Sequence, residues 1–157
     1  MRAVLLAAAA LAGLTTAAFA AGDTDPFMYF TKDQAFATVA VPKADGSATS
    51  NIISNHDDFS ASIVQRTVSG KAETHELYTD YLVIVEGTAK IAIGGKVNGN
   101  AKNPNGAAGE WLGASITGGK TYEFKPGTMI VIPKGVPHQM LLPANGKLHY
   151  LAFKRKG

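Results

Sequence analysis

The chain has 157 residues, no cysteine, 15 Lys and Arg against 12 Asp and Glu, and a 46% hydrophobic fraction. That length suits one domain whose core needs no disulfides, and any metal centre has to be built from His, Asp, Glu or backbone oxygen. The surplus of positive charge is local: without Arg2 and the terminal Lys154, Arg155 and Lys156, 11 basic residues face 12 acidic ones, so a nucleic-acid-binding stripe is not expected.

The first twenty residues, "MRAVLLAAAALAGLTTAAFA", combine one positive charge, an apolar run and a small-x-small pattern at Ala18-Phe19-Ala20. They read as a secretory signal peptide, too short in its apolar part to span a bilayer. Its removal predicts a periplasmic or secreted protein with no remaining membrane span. Residues 21–50 read as an N-terminal arm or linker, where Thr31 followed three residues later by Gln34 predicts a capping box and a short helix.

From residue 51 to the end, short runs rich in Val, Ile, Thr, Tyr and Phe alternate with Gly and Pro. The expected strands are Ser60–Val68, Asp80–Glu86, Ala89–Ile93, Ser115–Thr117, Thr121–Phe124, Met129–Ile132, His138–Leu142 and Leu148–Phe153. Many short strands predict an all-β sandwich or barrel. The Gly/Asn-rich stretch 94–110 reads as a long exposed loop with Trp111 anchoring its end, and the basic tail at 154–156 as a solvated, frayed end. His149 alternates with Leu151 and Phe153 and is expected to face the interior as a satisfied or partly buried strand histidine, whereas His56 reads as a loop residue. Tyr78, Tyr81, Tyr122, Gln139 and Met140 are candidates for a cavity wall.

Two segments carry chemistry. In "AETHELYTDYLVIVEG" (72–87), Glu73 and His75 are two residues apart and share a strand face, with Asp80 at the head of an apolar run. In "KPGTMIVIPKGVPHQM" (125–140), Pro and Gly punctuate a strand that ends in His138. Together these resemble the two motifs of the cupins. Gly127, Pro133, Gly135 and His138 fall on the second motif, Gly-x5-Pro-x-Gly-x2-His-x3-Asn, with Leu142 in place of the Asn. The first motif is a variant, Glu-x-His-x4-Asp ending at Gly87, in place of His-x-His-x4-Glu. "GASITGGKTYEFKPG" is similar to the strand pair that precedes the second motif.

The resemblance covers roughly residues 51–153 and implies a cupin-type double-stranded β-helix, or jelly-roll barrel, over 51–157. It implies one divalent metal in the barrel mouth, held by Glu73, His75, Asp80 and His138. Two carboxylates in place of one favour Mn²⁺ or Fe²⁺, with Zn²⁺ and Ni²⁺ compatible. Asp80 is a methylene shorter than Glu, so a three-ligand site of Glu73, His75 and His138 is the alternative. The family implies a homodimer acting on or binding a small molecule. Dioxygenase, lyase and isomerase chemistry stay open, as does a non-catalytic binder with a degenerate site.

Overall fold

The computed structural model describes residues 28–40, 48–104, 106 and 108–157; the leader expected at 1–20 lies outside the described residues, as do 21–27 and 41–47 of the arm. The compact unit Thr31–Gly157 carries all the regular structure among them. No helix there is long and apolar enough to cross a membrane.

Helix α1 (Lys32–Ala37) forms because Thr31 and Gln34 cap it reciprocally. The Thr31 N–H donates to Gln34 Oε1 at 2.9 Å, and Thr31 Oγ1 accepts from the Gln34 N–H. Its buried face is Ala35 and Phe36. The strands that follow are β1 (Thr49–Asn55), β2 (Phe59–Arg66), β3 (Ala72–His75), β4 (Tyr78–Glu86), β5 (Ala89–Ile93) and β6 (Lys96–Asn98). Then come β7 (Ala101–Lys102), β8 (Glu110–Gly113), β9 (Ser115–Thr117), β10 (Lys120–Phe124), β11 (Met129–Ile132), β12 (His138–Leu141) and β13 (Leu148–Lys156).

Every pairing is antiparallel. One sheet runs β1-β2-β13-β4-β11, a second β10-β5-β12-β3-β8-β7, and β6 pairs with β9 alone. The core draws on both larger sheets. Val64, Leu82, Ile84, Ile132, Leu148 and Tyr150 come from the first, and Ala89, Ile91, Phe124 and Met140 from the second. Alternation does the sorting, since neighbouring residues on a strand face opposite sides. This is the all-β fold expected from the strand pattern, and the jelly roll that the resemblance to the cupins implies.

Three local expectations are corrected. The segment 94–110 holds β6 and β7 and reaches β8, with Val97 buried. There Asn98 Nδ2 donates to Ser115 Oγ and Thr117 Oγ1 at 2.9 and 2.8 Å, so polar bonds support a pairing that hydrophobic periodicity does not signal. The tail is not frayed. Lys154, Arg155 and Lys156 complete β13, paired with β4 out to Tyr78, and β2 still flanks Lys154 and Arg155. His149 is buried under α1, its ring stacked on Phe36 with centroids 4.1 Å apart. Unbroken alternation along β13 gives the interior face to Leu148, Tyr150, Ala152 and Lys154 and turns His149 to the other side.

Gly87 closes β4 at φ +93°, where a Cβ would overlap the Lys147 carbonyl oxygen, whereas Gly94 at φ +75° has open space around it. Gly87→Ala is expected to cost about 2–4 kcal/mol and Gly94→Ala about 1 kcal/mol, the latter from backbone strain alone. Urea unfolding of both variants checks this; equal losses would contradict the close-approach argument.

Candidate metal centre

The site forms where β3 meets β12. Glu73 stands opposite His138 in the register, and His75 follows two residues along the same strand. The turn before β12 is fixed by its own chemistry. The Val136 N–H donates to the Pro133 carbonyl at 3.2 Å, and Gly135 at the third position has φ +77°, the sign a type II turn requires. That same Gly135 N–H donates to the His75 carbonyl at 2.8 Å. The turn is thereby tied to the strand carrying the other candidate donors.

Glu73, His75 and His138 each present a donor atom, and the three atoms lie within 4.8 Å of one another. His138 Nδ1 is 3.2 Å from the Val136 carbonyl, so with its proton on Nδ1 the ring leaves the Nε2 lone pair facing the site. His75 Nδ1 is 3.3 Å from Glu110 Oε1, across the β3–β8 pair, which orients the ring so that Nε2 turns toward Glu73 and Asp80. Asp80, from β4, stands outside the three-donor group. Its Oδ2 is 3.4 Å from His75 Nε2 and 3.7 Å from His138 Nε2. Asp80 Oδ1 is buried without a hydrogen bond, a carboxylate oxygen that suits a nearby cation.

Two cations of the chain flank this group. Lys154 Nζ lies 2.8 Å from His75 Nε2 and 3.6 Å from both Asp80 Oδ1 and Glu110 Oε1. Arg66 Nη2 lies 3.8 Å from Glu73 Oε1. Burial works against every charge here, yet local partners reverse that for three groups. Glu73 is held down at about 2 by the His75 hydrogen bond and the charges of His138, His75 and Arg66, against its own burial. Asp80 is lowered in the same manner, burial being outweighed by His75 and Lys154. His75 is raised to about 9 because hydrogen bonds to Asp80 and Glu73 outweigh burial and the Lys154 charge. For His138 burial prevails and lowers its value, so the ring is neutral at pH 7.

Of the four residues expected as ligands, Glu73, His75 and His138 converge, and Asp80 stands beside them, outside the three-donor group. Of the other candidates, Met140 lines the cavity beside the centre, and the buried Gln139 donates from Nε2 to the Gly70 carbonyl at 2.9 Å. Tyr78, Tyr81, Tyr122, His56, His149 and Trp111 are not among the lining residues. The cavity of about 540 Å³ adds Arg66, Glu110 and Lys154, none of which the motif pattern indicates. Only the alternation of β13, in which Tyr150, Ala152 and Lys154 share a face, carried a signal for one of them.

No protein-family model and no curated protein matches the chain. Solved structures do. The cupin domain of Schizosaccharomyces pombe Cnp3 is similar over 79% of this chain and 73% of its own, with TM-score 0.55 and 9% identity. KdgF from Halomonas sp. covers 83% and 96%, with TM-score 0.53 and 14% identity. The polyketide cyclase RemF from Streptomyces resistomycificus covers 82% and 80%, with TM-score 0.53 and 17% identity. The fold is that of the cupins.

In the metal-free protein, ring-nitrogen NMR is expected to show His75 titrating near pH 9 and His138 still neutral at pH 7. Because the folded His75 value lies above the unfolded one of about 6.5, its contribution to stability is complete below that pH. It is then lost as pH climbs toward 9. Asp80→Asn removes one of the raising partners and should lower the His75 value. A His75 that titrates at or below 6.5 in the native chain would contradict the assignment.

Proposed function

We propose that the protein binds one divalent metal ion through Glu73, His75 and His138, with Asp80 as an adjoining second carboxylate, and holds or transforms a small molecule in the cavity beside it. The convergence of three donors within 4.8 Å carries this reading. The donor set fits such an ion: both imidazoles have their Nδ1 turned to a carbonyl or carboxylate and their Nε2 turned inward. Two histidines and one or two carboxylates suit Mn²⁺ or Fe²⁺, and also Zn²⁺ or Ni²⁺, with positions left for a ligand. When bound, a divalent ion supplies Lewis acidity. The chain's own residues orient it: Glu110 fixes the His75 ring, Val136 the His138 ring, and Arg66 braces Glu73. Lyase, isomerase and oxygenase chemistry share this arrangement.

A second reading rests on Lys154. Its ammonium reaches the acidic cluster that a metal would neutralise. On that reading the site is a metal-free binder whose cation is built in. Metal titration followed by calorimetry and elemental analysis separates the two. Metal binding predicts one equivalent per chain in the native protein, a loss of at least about a hundredfold in affinity for Glu73→Ala and His138→Ala, and about 10–100-fold for Glu110→Gln. Lys154→Met, which removes a competing cation, is expected to bind more tightly. Affinity should also rise from pH 7 to pH 9, since the ion must displace the His75 proton. No saturable binding in the native protein or in Lys154→Met would leave the metal-free reading standing.

Export, with a periplasmic or secreted location, is part of the proposal and rests on the leader at residues 1–20. Homodimerisation is also part of it. Edge strand β11 exposes Met129 and Val131, at 76% and 56%, beside Tyr81 of β4, an apolar edge that suits pairing with a second copy. Sedimentation velocity is expected to show a dimer that Val131→Lys converts to monomer; a native chain that sediments as a monomer at micromolar concentration sinks this part.

A further inference from the structure

The cavity is walled by the alternate residues of several strands, and its charged groups are specific. Arg66, Lys71 and Lys154 face Glu73, Asp80 and Glu110. Three positive and three negative side chains cancel, so a divalent ion on two neutral histidines leaves the loaded cavity at +2. A cavity of about 540 Å³ is also of small-ligand size.

Arg66 is the group best placed to use that charge. It ends β2, is 6% exposed, and shares its strand face with the cavity-lining Ser62 and Val64. Along the β2–β13 ladder it lies opposite Leu148, six residues from Lys154, or roughly 20 Å at strand spacing. The two cations therefore approach the three-donor group from different sides, Lys154 at His75 and Arg66 at Glu73. The guanidinium has room because residue 70 is glycine: a Cβ there would lie 2.6 Å from Arg66 Nη1 and 3.0 Å from Cζ. A planar, buried guanidinium is suited to paired hydrogen bonds with a carboxylate.

We propose that Arg66 is the anion-recognition residue of this cavity, and that the ligand is a small carboxylate whose acid group meets Arg66 while another of its oxygens faces the metal. This rests on the metal reading above. A rival role is that Arg66 only orients Glu73. The two differ in what they move: orientation acts on metal affinity, recognition on the choice between acid and neutral ligand.

The test uses the full chain loaded with Mn²⁺, with metal affinity measured first on each sample. Calorimetry then compares lactate, pyruvate, malonate and oxalate with their uncharged amides. At least one acid is expected to bind tenfold or more tighter than its amide. Arg66→Met should abolish that preference, and Arg66→Lys should keep part of it. Gly70→Ala keeps the charge but displaces the guanidinium, and should weaken acid binding with manganese still held; it serves if Arg66→Met does not fold. Amides that bind as well as acids, no binding by any of the four acids, or a preference that survives both Arg66→Met and Gly70→Ala would overturn the inference. So would Arg66→Met changing manganese affinity alone. A native chain that does not hold manganese overturns the metal reading and this inference with it.

Discussion

The pairing of β3 with β12, which places Glu73 opposite His138, is the constraint on which the candidate site depends. Side chains alternate along a strand, so a slip of one residue would turn His138, or Glu73 and His75 together, to the other face. The register is held on both sides of that pair. Beyond one end of β3 the Gly70 N–H donates to the Met140 carbonyl, and at the other the Gly135 N–H donates to the His75 carbonyl. Gln139 adds a side-chain bond to the Gly70 carbonyl from within β12. The segment is thus clamped by bonds that do not involve the candidate donor side chains.

Such a clamp matters because the cluster it holds is costly. Glu73, His75, Asp80, Glu110, Arg66 and Lys154 are all buried or half-buried, and each gives up hydration. Their attractions offset that loss without making the group a clear source of stability. An apolar interior of the same shape, extending Leu82, Ile84 and Tyr150, would hold the sheets together at least as well. Charges kept in this position are better explained by what they bind than by what they stabilise.

Much of the fold was legible in the sequence, since Ala89–Ile93, Ser115–Thr117 and Met129–Ile132 are strands with the expected limits. Their apolar runs are bounded by Gly or Pro, and both signals are local. Residues whose role depends on pairing were not legible. Glu110 reaches His75 only because β8 lies beside β3, and Arg66 reaches Glu73 only from a strand of the other sheet. Lys154 was hidden by its company: three consecutive basic residues read as a solvated tail until β2 and β4 are seen to flank it. His149 shows the reverse failure. Its burial was expected, but the interior face of β13 belongs to Leu148, Tyr150 and Ala152, and His149 is buried on the opposite face against Phe36 of α1.

The division of labour between the sheets follows from the same register. Glu73, His75, His138 and Glu110 stand on the six-stranded sheet, whereas Asp80, Arg66 and Lys154 come from the five-stranded one. The three convergent donors and the carboxylate that orients His75 therefore form one rigid ladder. The groups that tune its charge reach across from the other side. A small relative shift of the sheets would leave the donor geometry intact and change the distances from Lys154 and Arg66 to it. Coulomb energy between close charges in a poorly hydrated site is steep in distance. On the proposed reading, the six-stranded sheet supplies the donors and the five-stranded sheet tunes the charge that a cation, and then an anion, meets there.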